Sequence, residues 1–187
     1  YGGVGSKFSL ECDYLVVMQH PVTTEVDLAR AQVTETLFAI KNLDMPTFWF
    51  WPNVDAGSDG TSKGIRVFRE LEEPINIHFF TNMLPEDFLK LIYNSKAIIG
   101  NSSVAIRECS FMGIPAVNIG SREEGRLRGS NVIDVDYDRD SIFYAVKKHI
   151  ANGHYPSAPI YGDGPGGEKI ADSLAHVHLG YAKRITY

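Results

Sequence analysis

The sequence predicts an α/β fold, a Rossmann-like open sheet of parallel strands with helices on both faces. Three observations predict it. Short apolar runs without polar alternation recur along the chain, as strands buried on both faces require. Segments with apolar residues at helical spacing separate these runs. The loops after the runs are rich in Gly, Ser, Asn, Thr and Arg. In such sheets ligands bind beyond the carboxyl ends of the strands, where those loops lead into helices.

Each element has its own signal. Tyr14-Leu-Val-Val-Met-Gln reads as a first buried strand. Thr23 or Thr24 is placed to cap a helix through Leu43, with Val26, Leu28, Ala29, Val33, Leu37 and Ile40 on its apolar face. Met45-Pro46 stops it, and Thr47-Phe-Trp-Phe-Trp is the second strand. The turn-rich Asn53–Gly60 segment precedes a helix over Ser62–Leu71 and a strand over Ile75–Phe80. Pro85 opens a short helix with Phe88, Leu89 and Ile92 inward. Ala97–Gly100 is a strand, Val104–Met112 a helix, and Pro115–Ile119 and Asn131–Val135 the last two strands. Helices over Ser141–Ile150 and Glu168–Ala182 close the pattern. The irregular Gly153–Gly167 stretch is too short to separate domains, so residues 1–187 read as a single domain.

Composition excludes several classes. Of 187 residues 44% are hydrophobic and 22% charged, which is globular rather than disordered usage. The net charge is −5 and no basic run exceeds two residues, which argues against a nucleic-acid partner. No apolar run approaches the ~20 residues a membrane span needs. Tyr1-Gly-Gly-Val-Gly-Ser-Lys has no apolar signal core, so the expected location is cytoplasmic. Cys12 and Cys109 have no metal-type spacing and read as reduced thiols. His176 and His178 face apart on a helix, so no metal site is expected. Gly162-Asp-Gly-Pro-Gly-Gly satisfies G-x-G-x-x-G, but no strand precedes it and a proline interrupts it. Gly3-Val-Gly-Ser-Lys lacks the phosphate-loop spacing, and no Ser/His/Asp set follows from spacing.

The candidate chemistry lies in the loops at one sheet edge. Gly100-Asn-Ser-Ser precedes a helix, where free N–H groups, the helix dipole and the Ser102 and Ser103 hydroxyls converge as an anion site. The plainer reading makes Ser102 an N-cap only. Glu108, six residues on from Ser102, can reach back to accept two hydrogen bonds from a vicinal diol such as a ribose. Its plainer reading is a solvated residue or a salt bridge with Arg107. His20 follows an apolar strand and is held extended by Pro21, a position more often structural than catalytic. Asn53 and Asp55 flank a turn, where such side chains usually bond their own backbone. Arg122, Arg126 and Arg128 can clamp a phosphate with planar forks, although Glu123 and Glu124 lower the charge of that loop.

The ordered set Gln19-His-Pro-Val-Thr-Thr, Pro52-Asn-Val-Asp-Ala-Gly-Ser, Gly100-Asn-Ser-Ser with Arg107-Glu108, Gly113-Ile-Pro-Ala-Val-Asn-Ile-Gly-Ser-Arg, Gly125-Arg, Asn131-Val-Ile and Tyr161-Gly-Asp-Gly resembles the C-terminal half of the UDP-N-acetylglucosamine 2-epimerases. It is most similar to the hydrolysing, sialic-acid-pathway branch, and the likeness runs from Tyr14 onward. Each motif alone is weak; their order and spacing make the likeness specific. It implies one half of a GT-B-type two-domain fold, with substrate in the cleft between two Rossmann-like halves. Ser102 and Ser103 would hold the diphosphate, Glu108 the ribose hydroxyls, and Phe88 and its surroundings the uracil. Asn53 and Arg122 would lie in the same UDP pocket, with His20 as the catalytic residue near the leaving diphosphate.

The reaction so implied begins with proton abstraction at the sugar C2 and anti elimination of UDP to a glycal. Water addition then releases N-acetylmannosamine. The family's acid/base carboxylates belong to an N-terminal half missing from this sequence, so this half alone is expected to be inactive. Non-hydrolysing members carry a Ser-Gly-Gly type turn where this chain has Ser102-Ser103-Val104. The implied partners are a UDP-sugar, the missing N-terminal half and, since a subunit interface would read alike, a homo-oligomer. No cofactor is implied. Two other readings remain: a free-standing nucleotide-sugar-binding module, and a GT-B glycosyltransferase C-terminal domain. The latter commonly has a Glu-x7-Glu pattern, whereas Asn101 and Pro115 stand seven residues either side of Glu108.

Overall fold

A computed structural model describes residues 3–7, 9–178 and 180. Its elements in chain order are β1 (Val4–Gly5), β2 (Leu15–Met18), α1 (Ala29–Leu43), β3 (Thr47–Phe50), α2 (Ser58–Glu72), β4 (Ile77–Phe80) and α3 (Pro85–Tyr93). There follow β5 (Ala97–Gly100), α4 (Glu108–Met112), β6 (Ala116–Ile119), β7 (Val132–Val135), α5 (Arg139–Asn152) and α6 (Gly166–His176). Two 3-10 turns, Val26–Leu28 and Ser103–Ala105, precede α1 and α4.

All seven strands form one sheet in the order β1-β4-β3-β2-β5-β6-β7. Only β1, at the edge of the sheet, runs antiparallel, paired with β4. The six parallel strands have the doubly wound order, which reverses between β2 and β5. Register brings the strand ends level there: Met18 pairs with Phe50 on one side and Gly100 on the other. The loops after β2, β3 and β5 therefore leave the sheet at one edge.

Strand alternation sorts the core into two layers. Leu15, Val17, Trp49, Ile77, Phe79, Ile99 and Val117 pack on one face with Val33, Leu37 and Ile40 of α1, Ile65 and Phe68 of α2, and Ile142 and Val146 of α5. Tyr14, Val16, Phe48, Phe50, Phe80 and Ile98 pack on the other with Leu91 and Ile92 of α3 and Cys109 of α4. Each of these apolar strands thus has no polar face, as its composition predicted. Cys12 and Cys109 are both free thiols.

Several element boundaries differ from the sequence reading. Helix α2 begins at Ser58, inside the segment read as turns. Its glycines are contact residues: a Cβ at Gly64 would lie 2.6 Å from Val33 Cγ1, so Gly lets α2 settle onto α1. Thr23 and Thr24 cap nothing; Glu25 and a 3-10 turn lead into α1, leaving Val26 and Leu28 exposed rather than in the core. The helix expected over Val104–Met112 is broken at Ile106–Arg107 into a 3-10 turn and α4. Leu89 faces outward at 42% exposure. Asp138 caps α5 by accepting from the Ser141 N–H at 2.8 Å. The last helix, α6, starts at Gly166 and stops at His176, where Val177 turns extended, so the expected helix is shorter than read; residues 179 and 181–182 of its expected extension lie outside the described residues.

Candidate functional site

The reversal between β2 and β5 brings His20 and Asn101 side by side. Asn101 is fully buried; its Oδ1 accepts from the His20 N–H at 2.7 Å and its Nδ2 donates to the His20 carbonyl at 2.8 Å. One side chain thus does the work of a neighbouring strand after the ladder has ended, and fixes the His20 peptide. Gly100 makes this approach feasible. Its φ is +135°, and a Cβ there would stand 2.0 Å from the Met18 carbonyl oxygen.

The His20 ring is held as firmly as its backbone. The Asn53 N–H donates to its Nδ1 at 3.1 Å, so the neutral ring carries its proton on Nε2. Burial first, and the Arg122 charge second, lower its pKa to about 4 against the opposing pull of Asp55. At neutral pH His20 is therefore an uncharged Nε2–H donor. Asn53 contributes its backbone, while its side chain is exposed.

Arg122 joins this cluster from the β6–β7 loop, donating from Nη1 to the Asn101 carbonyl at 3.0 Å. Beside it opens a polar cleft of about 700 Å³ lined by Thr23, Thr24, Asp55, Ser103, Arg122 and Arg126, among others. Arg128, weighed with these arginines from sequence, is occupied elsewhere. It donates to both Asp134 carboxylate oxygens, at 3.1 and 3.2 Å, and to the Arg126 carbonyl at 2.7 Å.

The two serines have different settings. Ser103 lines the cleft, whereas Ser102 is 7% exposed. Ser102 precedes the 3-10 turn in extended conformation, but its side chain makes no capping bond, so the plain cap reading fails. The turn is only three residues long, and its dipole is correspondingly small. Its first N–H groups still have no intrahelical acceptor.

Glu108 opens α4 instead of lying two turns along a helix, and it faces a different pocket, of about 370 Å³. Leu89, Arg107, Phe111, Pro159 and Tyr161 share that wall. Glu108 Oε2 is buried without a hydrogen-bond partner among the described residues, an acceptor in need of a donor. Arg107 makes no ion pair with it there. Phe88 is half-buried, edge-on to Phe50 at 5.4 Å.

The structure thus gathers His20, Asn53, Ser103 and Arg122 at one edge, with Glu108 in a second pocket and Phe88 against the apolar layer. Sequence reasoning assigned no role to Asn101, whose only signal was a buried-strand glycine followed by a carboxamide. It also missed the Tyr161 wall, which depends on the 153–162 segment folding back over α4. The Ala158 N–H donates to the Ser110 carbonyl at 2.8 Å, and the Tyr155 N–H to that of Gly113 at 2.8 Å.

Fold and site together define a doubly wound α/β unit with its polar cluster at the strand-order reversal. The chain matches the family described as UDP-N-acetylglucosamine 2-epimerase over residues 4–175, and it belongs to that family. It is 29% identical over 154 residues to the UDP-N-acetylglucosamine 2-epimerase of Neisseria meningitidis serogroup B, a match covering 81% of this chain and 39% of that protein. It is 27% identical over 164 residues to the UDP-N,N'-diacetylbacillosamine 2-epimerase (hydrolyzing) of Legionella pneumophila, covering 88% and 43%. The crystal structure of the Methanocaldococcus jannaschii UDP-GlcNAc 2-epimerase, in complex with UDP-GlcNAc and UDP, superposes with a TM-score of 0.70 at 17% identity, covering 88% of this chain and 46% of that one. The chain therefore spans less than half the length of these relatives and corresponds, as its loops implied, to the C-terminal half of such GT-B-type epimerases. No helix among the described residues is long and apolar enough to cross a membrane.

Proposed function

We propose that this chain is the UDP-binding half of a UDP-N-acetylglucosamine 2-epimerase of the hydrolysing type. The observation that supports this most is the convergence of His20, Ser103 and Arg122 on the edge where the strand order reverses. The diphosphate lies against Ser103, the adjoining N–H groups and Arg122, with the Ser102 hydroxyl behind them. The ribose diol donates to Glu108, supplying the partner its buried oxygen lacks. The uracil occupies the wall around Leu89 and Tyr161, with Phe88 and Phe50 beneath.

His20 meets the leaving diphosphate as a neutral donor. A dianion beside it raises its pKa from about 4 toward the working range, so the site becomes a proton source only when substrate is present. Elimination needs both a base at the sugar C2 and stabilisation of departing UDP. This chain supplies the second, and the carboxylates for the first come from the N-terminal half of the polypeptide. The hydrolysing branch is favoured by Ser102-Ser103-Val104 in place of a Ser-Gly-Gly turn.

Calorimetric titration with UDP tests the cradle. The Ser102→Ala/Ser103→Ala variant is expected to bind about tenfold more weakly than wild type, the loss of one charge-assisted contact. Equal affinity removes the assignment. In the two-domain enzyme, His20→Ala is expected to lower turnover more than it weakens UDP binding, and unchanged turnover refutes the catalytic role.

A further inference from the structure

The β6–β7 connection, residues 120–131, crosses the site edge without a helix of its own. Its middle is nonetheless organised around a buried carboxylate, Glu123, at 1% exposure. Burying such a charge is costly unless cations and hydrogen bonds compensate it. Here two arginines face the carboxylate and a third holds the Glu123 backbone. Arg122 Nη1 donates to Oε1 at 3.2 Å, and Arg126 Nη1 lies 3.0 Å from Oε2 as an ion pair. Arg128 Nη2 donates to the Glu123 carbonyl at 2.8 Å. Arg122 and Arg126 both line the cleft and stay partly open, at 29% and 51% exposure. One carboxylate between two guanidinium groups offsets their mutual repulsion and leaves this three-residue cluster with one net positive charge, on a wall that Glu25, Asp55 and Glu124 also line.

We infer that Glu123 is a positioning residue, whose buried carboxylate holds Arg122 and Arg126 as a pair of forks that grip the diphosphate of the bound nucleotide. The inference rests on the reading of this cleft as a nucleoside-diphosphate site, and it adds Arg126 to the residues that touch the ligand. The sign of one measurement decides it. By charge alone, an anion beside an anion-binding cleft weakens binding, so neutralising Glu123 would tighten it. Acting through the arginines, Glu123 strengthens binding, and neutralising it frees Arg126 to swing into solvent and leaves Arg122 held by the Asn101 carbonyl alone.

The test is calorimetric titration of the chain with UDP, comparing wild type, Glu123→Gln, Arg126→Gln and the double variant. Each single variant is expected to bind about tenfold more weakly, and the double variant no more weakly than Glu123→Gln alone. Equal or tighter binding by Glu123→Gln overturns the inference. So does a double variant weakened by the product of the single losses, because a merely structural role for Glu123 leaves the Arg126 contact independent. Should Glu123→Gln not fold, Arg126→Gln alone decides, and unaltered UDP affinity overturns the inference. A wild-type chain that does not take up UDP instead overturns the reading of the cleft, before any variant is compared.

Discussion

Acidification tests the environment of His20 directly. The unfolded chain protonates His20 near pH 6.5, and the folded chain only near about 4. Between those values the unfolded state binds a proton that the folded state does not, so stability falls as pH falls. Worked from the two pKa values, the loss between about pH 7 and about pH 4.5 is about 2.5 kcal/mol. His149, fully buried with its pKa also lowered first by burial, adds a loss of the same sign. The comparison is therefore with His20→Gln, which removes only the first contribution. Urea unfolding followed by the emission of the buried Trp49 reads both proteins at both pH values. Wild type is expected to lose about 2.5 kcal/mol more than the variant on acidification. The same pH dependence in both proteins would refute the neutral, buried imidazole.

Three other variants probe the surroundings. Asn101→Ala leaves the His20 N–H and carbonyl both unpaired, and urea unfolding is expected to show a loss of about 2–4 kcal/mol. Gly100→Ala sets a Cβ against the Met18 carbonyl at positive φ; it is expected to cost more than about 3 kcal/mol or prevent folding, as read by melting temperature and soluble yield. Glu108→Gln neutralises a half-buried carboxylate whose Oε2 has no hydrogen-bond partner among the described residues, so the ligand-free melting temperature is expected to hold or rise. UDP affinity is expected to fall about tenfold in the same variant, measured by calorimetry.

Much of the architecture was legible because it depends on local, repeated signals. The run Tyr14–Gln19 declared a strand buried on both faces, and Val33, Leu37 and Ile40 declared the inner stripe of α1. Misreadings arose where a residue's partner is distant in sequence. Gly60 looked like a turn former, but with Gly64 it is the flat side of a helix pressed onto α1. Ser102 looked like a cap, yet the helix it would cap breaks at Ile106–Arg107. Glu123 looked like a surface charge diluting an arginine cluster, and is instead the buried centre around which that cluster is arranged.

The amino-acid order alone determined the fold class, the edge at which the polar loops gather and the family likeness, because apolar periodicity and loop composition are properties of neighbouring residues. Only the tertiary structure decided how those loops meet. Asn101 clamps a peptide 81 residues away, Arg122 reaches back 21 residues to the Asn101 carbonyl, and Glu108 and Ser103 face separate cavities. Such contacts follow from strand order and register, which bring together side chains whose spacing along the chain carries no record of it.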